Sequence, residues 1–169
     1  RYLDAQQLIS FEINDDAIEN FLVGRCDVYT NFVTELAVLR AKISKSSNYI
    51  ILPEIISKEP LGPLVRHGDN EWADIVRWSL NALIIAEELN IFSENIDDYL
   101  NSNNHEVLRF LGVEGNFGDM LELDYNWAYN IIKQVGNYDT VFNKNIGPNT
   151  VLGLERGLNS LWIEGGILY

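Results

Sequence analysis

The sequence runs to 169 residues, 47% of them hydrophobic and 22% charged, with 25 acidic residues against 12 Lys and Arg and a net charge of −13. That mixture can bury a core and excludes a disordered chain. The shortage of clustered cations excludes a nucleic-acid partner, whose phosphates demand them. No apolar run approaches the roughly 20 residues of a membrane-spanning helix.

The opening RYLDAQQL has neither an initiator Met nor a basic-then-apolar leader, so targeting cannot be read from it, and it is compatible with a start inside a longer protein. QLISFEI alternates weakly and reads as a strand; Ile18, Phe21 and Leu22 then recur at helical spacing up to Gly24, a helix stop. CDVYT reads as a short buried strand, FVTELAVLRAKI as a helix with Leu36 and Leu39 inward, and YIILPEII as a further strand. Strands alternating with helices predict a parallel α/β sheet.

SKEPLGPLVRHGD changes character, because Pro60, Gly62 and Pro63 suit neither a helix interior nor a central ladder. It reads as a crossing between two lobes. Asp69 is an N-cap for the longest predicted helix, whose apolar stripe is Trp72, Ile75, Val76, Leu80, Leu83 and Ile84. Shorter helical patterns follow at Ile96, Tyr99 and Leu100, at Val107, Phe110 and Leu111, and at Trp127, Ile131 and Val135 before Gly136. NIGPNT is a turn, and Leu154, Leu158, Leu161 and Trp162 form a last amphipathic stretch.

Few residues carry the marks of chemistry. His67 and His105 stand far apart without ligand-spaced partners, and a single cysteine, Cys26, excludes an internal disulfide or a Cys-based zinc site. The glycines of GVEGNFG follow no strand and lack dinucleotide-binding spacing, so they read as a structured loop. Adjacent acids at Asp15 and Asp16, Glu87 and Glu88, and Asp97 and Asp98 point in different directions on a helix or cap, which argues against an acid/base pair. The periodicity of Trp72, Trp78, Trp127 and Trp162 favours core packing over sugar stacking. No nucleophile motif is present, so the expectation is a non-enzyme that needs no cofactor and no metal.

Three strings carry a more specific signal: ISKEPLGPLVRHGDNEWADIVRWSLNALIIAEELNI, LGVEGNFGDMLELDYNWAYNIIKQVGNY and NIGPNTVLGLERGLNSLWIEGGILY. They closely resemble the C-terminal half of periplasmic general L-amino-acid-binding proteins of proteobacterial ABC transporters, in the solute-binding family for polar amino acids. The resemblance implies a two-lobed α/β fold of periplasmic-binding-protein type II, present here as its C-terminal part and helix-rich toward the C-terminus. Residues 1–56 would end the second lobe, 57–66 would form the hinge crossing, and 67–169 would return to the first lobe and add a helical C-terminal extension. The function implied is capture of an L-amino acid between closing lobes and delivery to an inner-membrane ABC permease, by a periplasmic monomer.

In that family the strand matching GRCDVYT leads to a loop whose aspartate pairs with the ligand ammonium; the matching position here is Phe32. Thr30, Asn31 and Phe32 are accordingly the expected ligand-binding residues, and Glu59, Pro60 and Gly62 the expected hinge. A Phe cannot neutralise an ammonium, and Glu35 is the nearest acid that follows it. The alternative is therefore a clamp-fold sensory or interaction module that has lost amino-acid binding. Cys26 is either a small buried apolar side chain or, in an oxidising compartment, a partner for a cysteine in an upstream half.

Overall fold

The computed structural model describes residues 8–57 and 60–169. Contacts divide the chain into two compact units, Arg1–Glu54 and Ile55–Tyr169. In the first, α1 (Asn14–Leu22) and α2 (Val33–Lys42) are joined by an extended loop. α1 begins with Asp15 and Asp16, which complement the partial positive charge of its N-terminus, and ends at Gly24, whose φ of +77° lets the chain turn away.

The second unit is built on α3 (Asn70–Glu88), which packs against α6 (Trp127–Val135), α7 (Tyr138–Asn145) and a 3₁₀ turn over Phe117–Leu121. α4 (Ile96–Tyr99) and α5 (His105–Phe110) lie between them in sequence. Asp69 caps α3 as expected: its carboxylate accepts the Trp72 backbone N–H at 3.2 Å. Asn104 and Asn137 cap α5 and α7 in the same way.

The core gathers Ala86, Ile91, Ile96, Val107, Leu111 and Ile132, with Leu89, Tyr99, Leu100, Phe110 and Tyr129 packed around them. The apolar positions of the first two short helical patterns after residue 90 therefore meet in one cluster, whereas α6 enters it through Ile132 and Tyr129 rather than through the expected Trp127, Ile131 and Val135. Gly112 shows how tightly the turns are drawn: its φ is +79°, and a Cβ there would stand 2.0 Å from the Tyr125 carbonyl oxygen. The GVEGNFG segment is a structured loop, with Gly118 buried against Leu123 and Asp124.

Several expectations differ from what is found. CDVYT, YIILPEII and residues 8–13 of the first expected strand form no strand; among the described residues the only β-type pairing is one bridge between Leu161 and Leu168. A strand exists only with a neighbour to complete its ladder, and none pairs with these stretches among the described residues. Val28, Ile50, Leu52, Ile55 and Ile56 remain exposed on these unpaired stretches. Three of the four tryptophans are not core residues either: Trp72, Trp78 and Trp162 are about half exposed while Trp127 is half-buried, and α3 instead buries the smaller Ala82, Ile84 and Ala86. The last amphipathic stretch is not a helix but two 3₁₀ turns, over Gly157–Asn159 and Trp162–Glu164. No helix among the described residues is long and apolar enough to cross a membrane.

Candidate ligand-binding loop

The loop of interest runs from the end of α1 to the start of α2. Its first part is pinned where Gly24 N–H donates to the Phe21 carbonyl and Arg25 N–H to that of Asn20, both at 3.0 Å. The Arg25 guanidinium also donates to the Asn20 side-chain oxygen. Cys26, expected on a buried strand, is half-buried and free.

Tyr29 organises the remainder of the loop. Its ring sits 5.9 Å from that of Phe21, which in turn lies 5.4 Å from Tyr49, a small aromatic cluster at tilted angles. Its hydroxyl donates to the Asn14 side-chain oxygen at 2.5 Å. The Asn31 amide donates to the Tyr29 hydroxyl at 2.7 Å and to the Asn14 oxygen at 3.3 Å, while the Asn31 oxygen accepts the Phe32 backbone N–H at 2.8 Å. The start of α1 and the loop are thus tied through one amide–phenol–amide network.

Of the three expected ligand residues, the structure brings two to the surface and commits the third to structure. Thr30 is exposed. Phe32 is the residue preceding α2, with its carbonyl accepting the Leu36 N–H at 2.9 Å and its side chain 42% exposed, so it does not turn inward as a first core residue of the helix. Asn31 is half-buried, with both ends of its amide engaged. Glu35 lies in the first turn of α2 and is exposed. The loop therefore offers an aromatic face and a hydroxyl. Tyr29 and Asn14, which hold it, were not singled out from the sequence; Tyr29 sits within the GRCDVYT string that marks the loop, whereas Asn14 is remote in sequence and carries no signal.

Pro60 and Gly62, expected at the hinge, lie on an exposed extended run, and a Cβ at Gly62 would meet nothing within 4 Å. Glu59 falls outside the described residues. The histidines are at the surface, with His105 Nδ1 against the Glu114 carboxylate at 3.0 Å. Among the described residues no group of His, Cys, Asp or Glu has the arrangement of a metal site.

The densest electrostatic site lies in the second unit. Arg156 is largely buried; its guanidinium donates to both Glu87 carboxylate oxygens at 2.9 and 3.0 Å and to Asp139 at 2.8 Å, and it stands over the rings of Tyr138 and Phe142. Burial pushes the Glu87 carboxyl above its ordinary value, against the opposing pull of Arg156. At the surface of the same unit, hydrogen bonds from Lys133 and Tyr129 hold Asp97 below the usual carboxylate range. Sequence inspection had no means of finding the Arg156 cluster, whose members lie up to 69 residues apart.

No family model matches the chain. It is 47% identical over 162 residues to a putative amino-acid ABC transporter-binding protein, YhdW, of Escherichia coli, covering 95% of this chain and 48% of that protein. It is 49% identical over 160 residues to the glutamate/glutamine/aspartate/asparagine-binding protein BztA of Rhodobacter capsulatus, covering 93% and 47%. Against the general L-amino acid-binding periplasmic protein AapJ of Rhizobium johnstonii it is 52% identical over 148 residues, covering 86% and 43%. Its homologues are amino-acid ABC transporter binding proteins. A solved periplasmic binding protein from Brucella ovis, with glutathione bound, matches in structure with a TM-score of 0.83 at 44% identity, covering 95% of this chain and 51% of that one. The fold is thus part of a periplasmic-binding-protein fold, and the chain spans about half the length of the curated relatives it matches.

Proposed function

We propose that this chain belongs to the substrate-binding component of an ABC importer, a periplasmic protein that binds an L-amino acid between two lobes and hands it to an inner-membrane permease. The observation that carries this reading is the identity of 47–52% to amino-acid binding proteins along nearly the whole chain. In this reading the protein is a monomer, not an enzyme, and works by closure alone. Thr30, Asn31 and Phe32 face the ligand, with Asn31 acting through the loop it shapes, and Glu59, Pro60 and Gly62 form the hinge.

Calorimetric titration of the complete protein with the common L-amino acids and with glutathione tests it. A dissociation constant of micromolar or tighter for at least one L-amino acid supports the reading, and binding of glutathione alone, or no heat with any of them, defeats it. Gly62→Val adds bulk where space is open but narrows the backbone torsions available to a hinge; it should weaken ligand binding with little change in unliganded stability. Equal loss of both would mark Gly62 as a folding position instead.

Phe32 favours a second reading, a clamp that no longer binds free amino acids. An ammonium contributes about 0.5 to 2 kcal/mol over an aromatic face, against about 1.5 to 3 for a hydrogen bond to a charged partner, so the aromatic loop is the poorer host. Phe32→Asp in the complete protein should then raise amino-acid affinity at least about tenfold, the effect of 1.4 kcal/mol. If the unaltered protein binds tightly and Phe32→Asp leaves affinity unchanged or lower, Phe32 is not at the ligand.

A further inference from the structure

The last fifteen residues, 155–169, are joined to the rest of the second unit in an unusual way. Their backbone bonds close on themselves. Trp162 N–H donates to the Leu168 carbonyl, Leu168 N–H to Ser160, Ile167 N–H to Leu158, and Gly166 N–H to Leu161. From Arg156 onward, no such bond among the described residues leaves the segment. The fold is tight within itself: a Cβ on Gly166 would stand 1.8 Å from the Ser160 carbonyl oxygen.

What ties this segment to the helices is side chains. Arg156 reaches Glu87 at the end of α3 and Asp139 at the start of α7, and the Trp162 indole N–H donates to Glu88 at 3.2 Å. Arg156 also donates twice to the Asn159 carbonyl, which fixes the guanidinium to its own segment. Apolar anchoring is slight. It is limited to three leucines: Leu161 is buried and Leu158 and Leu168 are half-buried, whereas Trp162, Ile163, Ile167 and Tyr169 are each more than half exposed. The segment and the neighbouring helices together line a partly open cavity of about 410 Å³, whose walls include Glu87, Glu88, Asn137, Asp139, Leu161 and Glu164.

We propose that residues 155–169 form a strap that opens and closes over this cavity as one body, latched by the Arg156 guanidinium on Glu87 and Asp139. Opening breaks the side-chain bonds of Arg156 and Trp162 and withdraws Leu161, but no backbone ladder, which is the profile of a locally unfastening element with few buried apolar contacts. Closing returns the guanidinium to two carboxylates and two aromatic rings. The buried Glu87 carboxylate is solvated in the open state, so release of Arg156 leaves no stranded charge and the helices beneath keep their fold.

The test is pulsed electron spin resonance on the full chain, with nitroxides at Glu94→Cys and Asn159→Cys, both exposed positions, in a Cys26→Ser background. With Arg156 intact one short distance should dominate. Arg156→Gln should raise the ratio of long to short distances at least about tenfold, and Asp139→Asn should move it less in the same direction, with helical circular dichroism unchanged in both. Unaltered distances in both variants overturn the strap, as does a change that appears only together with loss of helix. If Arg156→Gln does not fold, Asp139→Asn decides alone: a longer population supports the strap and an unchanged one overturns it.

Discussion

The two compact units draw on the same local rules and reach different ends. In residues 8–54, α1 buries no residue and α2 buries only Ala37, while Leu22, Val28, Val33 and Ile50 stay exposed. In residues 55–169, apolar residues from α3 to α6 interlock around Ile91, Ile96, Leu111 and Ile132. Helix starts, stops and acidic first turns are local and form in either unit. A core is not local: it needs several elements that can turn their apolar faces toward one another, and small units seldom supply them. The first unit is held by a polar and aromatic network through Asn14, Tyr29, Asn31 and Phe21, the second by burial.

On that contrast, the largest effect should come from cutting the second unit's core. Ile132→Ala, at a position with no exposure, should cost about 2–5 kcal/mol in chemical denaturation. Leu22→Ala in the first unit should cost less than about 0.5–1 kcal/mol, the range of an exposed substitution. Similar losses at both sites would remove the distinction.

Two glycines sharpen it further. Gly24 and Gly112 share nearly the same φ, +77° and +79°, but only Gly112 faces backbone within van der Waals contact. Gly24→Ala should therefore cost about 1 kcal/mol from conformation alone, and Gly112→Ala about 2–3 kcal/mol once the displacement of Tyr125 is added. Equal costs would mean that Tyr125 yields freely and the second unit is looser than its packing indicates.

Capping is the next step down. Asn137 is buried and caps α7 through the Thr140 N–H at 3.0 Å, so Asn137→Ala should cost about 0.5–2 kcal/mol, read from the denaturation midpoint. Asn14→Ala, which removes an exposed acceptor from Tyr29, should cost about 0.5–1.5 kcal/mol at most. A larger loss at Asn14 would make the loop network, rather than burial, the stronger organiser.

The smallest effects separate two carboxylates within the second unit. Asp97 is held low by Lys133 and Tyr129, so its contribution to stability is present above the ordinary value of 3.8 and is lost as pH falls through its lower folded value. Glu87 is raised by burial, so its contribution is fully present below the ordinary 4.5 and is lost as pH rises through its higher folded value. Denaturation midpoints measured from pH 3 to 7 should thus lose part of their acid sensitivity in Asp97→Asn. In Glu87→Gln they should lose a component of the opposite slope. Parallel changes in the two variants would contradict the burial argument for Glu87.

What the sequence by itself determined was local. The Asp69 cap, the stop at Gly24, the break at Pro60 to Pro63, and most of the apolar positions of the short helices after residue 90 follow from side-chain chemistry acting over one or two turns. The family resemblance was equally legible, because it is carried by long strings of the sequence itself. The candidate loop could be located from GRCDVYT, but not that Asn31 would spend its amide on Tyr29 and Asn14, since that depends on where α1 begins.

Tertiary structure decided the rest. CDVYT and YIILPEII have strand composition yet form no strand, because a ladder is a property of two segments and neither finds a neighbour among the described residues. Trp72 and Trp78 lie on an apolar pattern yet face outward, because α3 meets its partners through Ala82, Ile84 and Ala86, where small side chains permit close approach. Arg156 carries no local signal in the sequence, and only folding placed Glu87 and Asp139 around it. Periodicity states which residues can be buried together; only the positions of the other elements determine which of them are.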